Sequence, residues 1–256
     1  MSDNGRGSRN AQASTGKTSP KEAQMRANRA DQLRPAAADT HILEGDALAL
    51  LEIRDLPPGV LDALAGNREV MKRRKVQIAL ACHPQTPRHV SLPLVRHLYT
   101  FELLRIAMLP SVASDLKVTV EDAIISRLET ITSGERMALA RQGTTRLAAA
   151  LLKDPDARVM AVALTNPRMT EAALIKSVTS AKVSAKLVQA LCSHPKWSVR
   201  RELQMALLRN ENTPLAKAIQ FAQQLPIASV KEVLQVSKLP ENVRKYLTEL
   251  VEQRIR

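Results

Sequence analysis

Few side chains in this 256-residue chain stand at spacings that carry chemistry. The run Ala11-Gln-Ala-Ser-Thr-Gly16-Lys17-Thr18 follows a relaxed phosphate-loop pattern. Such a loop needs a buried strand before it and a helix after it, so that backbone N–H groups surround a phosphate. Here Ser2–Asn10 is polar and Ser19-Pro20 follows, so the run reads as part of a polar tail. Cys82-His83 and Cys192-Ser193-His194 bring together zinc-ligand residue types. A structural zinc takes four converging ligands, and these two groups lie too far apart along the chain to share an ion. The cysteines are expected in the core and each His-Pro at a helix end. No metal and no cofactor is expected.

Lys72-Arg73-Arg74-Lys75 is the densest basic run. On a helix Arg73, Arg74 and Gln77 point away from the side that carries Met71, Ile78, Ala79 and Cys82. Arg200, Arg201 and Gln204 hold the matching positions further on. Repetition of that kind builds a basic ridge suited to phosphates, or a solvated helix face. Trp197 is the single tryptophan, at a helix start between Pro195 and Val199. It reads as a partner anchor or as a filler between repeats. These seven residues are the candidate partner-binding positions. No Gly-x-Ser-x-Gly, His-Glu-x-x-His or Cys-x-x-Cys occurs. The acidic pairs Glu121/Asp122 and Asp154/Asp156 read as helix-start residues that suit the helix dipole. No catalytic residue and no small-molecule substrate is assigned, and the protein is read as not an enzyme.

The elements that hold these residues are helical. Aromatic residues make up 2% of the chain, and of its 8 glycines none follows Gly143. Turn-rich β architectures need both glycine and aromatic strands, so an all-β fold is excluded. Residues 1–40 contain no Ile, Val, Phe, Tyr or Trp and are expected to form a disordered, polar and basic tail. From His41 onward short apolar-periodic runs follow one another. Examples are Asp46–Ile53, Glu69–Cys82, Ala113–Glu129, Ser198–Arg209 and Glu241–Gln253. Thr86-Pro87 and Thr213-Pro214 read as N-caps followed by a first-turn proline. Helix Glu135–Gln142 is expected to start near Ser133, without an acidic capping-box partner three residues on.

Some of these runs repeat. Val76-Gln-Ile-Ala-Leu-Ala81 leads to Thr86-Pro87, and Leu203-Gln-Met-Ala-Leu-Leu208 leads to Thr213-Pro214, 127 residues later. Asp154-Pro155 and His194-Pro195 stand 40 residues apart. Three periods of roughly 40–44 residues span the larger interval, which is the period of helical-pair arrays. The stretch Leu191-Cys-Ser-His-Pro-Lys-Trp-Ser-Val-Arg-Arg201, with the helix ending Leu208-Arg-Asn-Glu-Asn-Thr-Pro214, resembles bacterial HEAT-like repeats. It is also similar to leucine-rich-repeat variant proteins, in which an Asn-Pro or His-Pro break precedes each helix. The resemblance covers residues 68–253 loosely. It implies an all-α, right-handed α-solenoid of short stacked helices over residues 41–256, used to bind another macromolecule. The iron–sulfur module of some leucine-rich-repeat variant proteins is not implied, because its N-terminal cysteine cluster is missing.

The expected function is a non-enzymatic scaffold or adaptor that binds another protein through the solenoid surface. The alternative is sequence-independent nucleic-acid binding. The charge bears on both. The chain is net +13, and with seven basic and four acidic residues in the tail, +10 lies on residues 41–256. Such a balance favours acidic partners. No apolar run is long enough to span a membrane, and a cytoplasmic location is expected.

Overall fold

Brief apolar stripes, interrupted by Pro, Asn, Asp and Thr, fold as short helices. The computed structural model describes residues 20–180, 183–236 and 239–255. The described residues form 17 helices and no strand. They divide into two compact units that meet in sequence between Leu94 and Val95.

The first unit holds α1 (Pro20–Ala38), α2 (Glu44–Leu51), α3 (Pro58–Gly66), α4 (Arg68–Met71) and α5 (Arg74–Cys82), and α6 (Arg88–His97) spans the boundary. Its core is built from Leu56, Val60, Leu61, Leu64, Val76 and Leu80. Half of the expected tail is helix. α1 packs on α3, Leu33 lies against the core, and Ala37 has no exposed surface. The segment has too few apolar residues for a core of its own, but it completes that of α3. The Asn67 amide secures its end, donating to the carbonyls of Asp39 (2.7 Å) and Ala37 (3.3 Å). Residues 1–19, and with them Gly16-Lys17-Thr18, lie outside the described residues.

The second unit contains α7 (Thr100–Met108), α8 (Ser114–Ile125), α9 (Ser133–Gln142), α10 (Thr145–Leu151), α11 (Ala157–Leu164) and α12 (Glu171–Val178). It continues with α13 (Ala185–Ser193), α14 (Arg201–Leu208), α15 (Leu215–Gln224), α16 (Ile227–Val236) and α17 (Glu241–Ile255). Contacts skip one helix: α8 packs on α10, α10 on α12, α12 on α14 and α14 on α16. On the other side α9 packs on α11, α11 on α13 and α15 on α17. Leu147, Leu151, Val159, Leu174, Leu187, Leu203 and Phe221 are among the side chains buried between them.

The same skip-one spacing recurs in polar bonds. The last turn of a helix leaves carbonyls without intrahelical donors. A side chain about thirty residues later supplies them. Arg127 donates to the Leu98 carbonyl at 2.6 Å, Asn166 to Ala140 at 2.7 Å, and the Trp197 indole N–H to Leu164 at 2.9 Å. Asn210 donates to Val178 at 3.0 Å, and Arg254 to Ala222 and Leu225 at 2.9 Å. The donor's role repeats while its identity changes.

The two sequence copies also fold alike locally. The expected helix Glu69–Cys82 breaks into α4 and α5, with Arg73 as the N-cap of α5 at φ −85°, ψ 111°. Arg200 caps α14 at φ −80°, ψ 119°. At each break a glutamine takes the freed carbonyl: Gln77 Nε2 donates to Met71 at 2.6 Å, and Gln204 Nε2 to Ser198 at 2.8 Å. Thr213 does not cap α15, and the hydroxyls of Thr86 and Thr213 are donors to the helices before them. Those hydroxyls donate back to Leu80 and Leu207, both at 2.6 Å, and Pro214 itself stands at the N-cap of α15. The start of α9 is likewise shifted. Thr132 is its N-cap and forms a capping box with Glu135.

Candidate functional site: a lysine-rimmed groove on the second unit

The sequence-derived positions separate into structural and surface residues. Trp197 is 3% exposed and held by its bond to Leu164, with the Lys196 ammonium 4.2 Å from its ring centre. It is a filler between helices and presents no face to a partner. Gln204 is 4% exposed and bonded to Ser198 and Gln224. Gln77 is half-buried and bonded to Met71. Both glutamines therefore serve the helix breaks, contrary to a placement on an outward ridge. The arginines remain at the surface. Arg73 is exposed and Arg74 half-buried in the first unit, while Arg200 and Arg201 are exposed in the second. Arg201 donates to Ser229 Oγ at 3.0 Å.

His83 and His194 end α5 and α13 as C-caps, as the His-Pro pairs predict. Each accepts at Nδ1 from the backbone N–H two residues on, at 3.2 Å. That bond leaves the proton of His83 on Nε2, which donates to the Ile53 carbonyl at 2.9 Å. Cys192 is buried, and burial pushes its thiol up to about 11. Burial, then the Lys196 charge, holds the His194 imidazole below its ordinary value. Among the described residues no three His, Cys, Asp or Glu side chains gather at a metal-sized site.

What the sequence did not single out is an open groove of about 760 Å³ on the second unit. Three helices and the segments that follow them build it. α10 contributes Arg146, Ala149, Ala150 and, just past its C-cap, Lys153. α12 contributes Ala173, Lys176, Ser177 and, just beyond it, Ser180. Both sets follow i, i+3, i+4, i+7, the spacing of one helix face. Ile125 at the end of α8 closes the third side, with Leu128 and Glu129. The leucines of α10 and α12 (Leu147, Leu151 and Leu174) face the core instead. The signal was in the sequence as a second stripe, of alanine and lysine, opposite the leucine stripe. Alanine suits a packed helix as well as an open one, so the stripe alone did not mark a surface.

No family model, curated protein or solved structure matches the chain.

The rim of the groove is positive. Arg146 is committed to the wall: it donates to Asp122 Oδ1 at 2.6 Å and to the Val118 carbonyl at 3.1 Å, and lies 3.5 Å from Glu121 Oε2. Glu121 is 8% exposed and accepts a short hydrogen bond from the Thr144 hydroxyl. Glu121 and Asp122 lie in the second half of α8, so they orient Arg146 and do not start a helix. Lys153 and Lys176 are exposed and form no ion pair with the described residues. Glu129 is the acid on this groove's lining.

A buried clamp fixes the loop that follows α10. Arg136 Nε lies 2.7 Å from Asp154 Oδ2, at an angle outside hydrogen-bond geometry, and Arg136 Nη1 donates to the Ile131 carbonyl at 2.8 Å. Asp154 Oδ1 accepts from the N–H of Asp156, the N-cap of α11. Arg158 and then Ser133, by donating to the Asp156 carboxylate, hold it well below the usual carboxylate range. The loop between α10 and α11, which carries Lys153, is thus tied to α9.

A second groove lies one helix further along the same layer, between α12, α14 and α16. Ile175, Met205 and Ala206 line it with Arg201, Arg209, Glu202 and Glu232. Its charges balance, and Arg209 pairs with Glu232 at 2.6 Å.

Proposed function

We propose that this protein is a non-enzymatic scaffold of the right-handed α-solenoid type, which binds another protein through the groove of α8, α10 and α12. The observation that carries the reading is an alanine floor left open between packed helices, where a protein interior would be filled. The skip-one contacts and the repeated carbonyl bonds support the stacked-repeat architecture, since each helix relies on near neighbours. The resemblance of residues 68–253 to HEAT-like and leucine-rich-repeat variant proteins agrees with it. The reading invokes no cofactor and no catalytic residue.

The test fills the groove. Ala173→Trp and Ala150→Trp are each compared with the unaltered protein in affinity capture, after circular dichroism shows that helix content is kept. The expected outcome is a protein partner retained by the unaltered chain and lost by both variants. Capture that neither substitution changes refutes the groove as the binding site.

Nucleic-acid binding is the second reading. It is favoured by the net charge and by exposed Arg73, Arg200 and Arg201. Phosphates need cations and polar donors but no apolar floor, so this reading leaves the alanine groove without a role.

A further inference from the structure

We infer that the α8–α10–α12 groove takes an acidic amphipathic helix of a partner protein, its apolar face on the alanine floor and its carboxylates on Lys153 and Lys176. The inference rests on the protein-binding reading above and names the chemistry of the partner.

Three observations lead to it. The first is the floor. Ala149 and Ala150 on α10 and Ala173 on α12 are half-buried, and their small side chains leave a trough between two packed helices. Helices pack by setting ridges of side chains into such troughs at roughly 8–10 Å between axes. A third helix laid there repeats the geometry the fold already uses, with anchors at i, i+3, i+4 and i+7.

The second is the charge at the rim. Lys153 and Lys176 lack acidic partners among the described residues, whereas Arg146 is already neutralised by Asp122 and Glu121. Two unpaired ammonium groups against the single Glu129 select a negative occupant and repel a basic one.

The third is contrast along the same layer. The adjoining α12–α14–α16 groove is lined by two arginines and two glutamates, and Arg209 is paired with Glu232. An excess of positive charge therefore sets this groove apart from its neighbour. A nucleic-acid strand would use the lysines but gain nothing from the alanines.

The experiment uses the full chain and a displayed library of amphipathic peptides of roughly 18 residues, about five helical turns. One face is Leu/Ala, and the other is randomised among Glu, Lys, Gln and Ser. Selected peptides are synthesised and their affinities measured by fluorescence anisotropy. The expected result is enrichment of glutamate, with affinity reduced about tenfold or more by Lys153→Glu plus Lys176→Glu. The lysine counterpart of the best peptide should instead gain affinity for that charge-reversed protein. Ala173→Trp, or Ala150→Trp where the first fails to fold, should weaken the glutamate peptide similarly.

Neutral or basic peptides that win, yet are displaced by the tryptophan substitutions, overturn the acidic partner and leave the groove reading standing. Peptides indifferent to the tryptophan substitutions, or no enrichment at all, overturn both. Duplex DNA binding that is lost on reversing the two lysines but unchanged by the tryptophans also overturns the inference, because it assigns the lysines to phosphates.

Discussion

Arg136 and Asp154 make a demanding pair: the carboxylate is 4% exposed and the guanidinium 17%. Removing one member of a buried pair strands the other charge, whereas replacing both with apolar residues avoids it. Arg136→Ala is therefore expected to destabilise the second unit by about 3 kcal/mol in urea unfolding. Arg136→Met with Asp154→Leu should recover only part of that loss, because the Asp156 N–H and the Ile131 carbonyl then lose their side-chain partners. Asp156 adds a pH dependence. Hydrogen bonds from Arg158, Ser133 and the Arg158 backbone lower its pKa in the folded chain. A lowered folded pKa means that the unfolded chain binds the proton first. The stabilisation is present above the ordinary carboxylate pKa of about 4 and is lost as pH falls through and below it. Asp156→Asn should flatten the acid limb of the stability profile below about pH 4, with little change in its shape near neutrality. A profile as steep as that of the unaltered protein would remove Asp156 from this role.

Most single helices here are too short to persist alone, since isolated helices of under about 12 residues are marginal in water. α10 has 7 residues and α12 has 8. What ends them becomes important, because at several helices a closing carbonyl is satisfied from about thirty residues further on. Asn166 is 1% exposed and serves both Ala140 and Gly143. Asn166→Ala should lower stability by about 1–3 kcal/mol, the penalty for buried polar groups left without partners. Gly143 closes the same turn with ordinary backbone angles, φ −67°, ψ 170°. It is needed for space: a Cβ would press into the Leu139 carbonyl oxygen and sit 3.2 Å from the Leu147 side chain. Gly143→Ala is expected to destabilise by about 1–3 kcal/mol by overpacking, measured as a lower denaturation midpoint. Equal midpoints would mean that the backbone shifts freely there. The glycine was visible in the sequence as the last of its kind, but its reason, a carbonyl of α9 beneath it, was not.

Across the whole chain the net charge of +13 draws polyanions in general. The protein-binding reading expects this attraction to be diffuse. Fluorescence anisotropy with duplex DNA, single-stranded DNA and RNA should show binding at low salt that fades by about 0.15 M. Arg73→Ala with Arg74→Ala should change it little. Tight binding that survives at that salt, with a steep salt slope reduced by the double substitution, would favour the nucleic-acid reading.

Helix type and most helix positions were legible in the chain because an apolar period of 3.6 residues is a local property. His83 and His194 as helix ends were legible for the same reason, since a following proline forbids continuation. The pattern Arg73/Gln77/Thr86 and its counterpart Arg200/Gln204/Thr213 coincide with like N-cap angles and like side-chain bonds. The pattern by itself did not reveal that the glutamines and threonines spend their polar atoms on neighbouring carbonyls. Burial and partnership are decided by what another segment brings. Trp197 looks the same in sequence as an anchor or a filler until Leu164 arrives beneath it. α1 looks unfoldable until Asn67 and α3 meet it. The alanine–lysine stripe of α10 became a candidate site only when α12 and the end of α8 were placed beside it, because a groove belongs to the space between helices and not to any one of them.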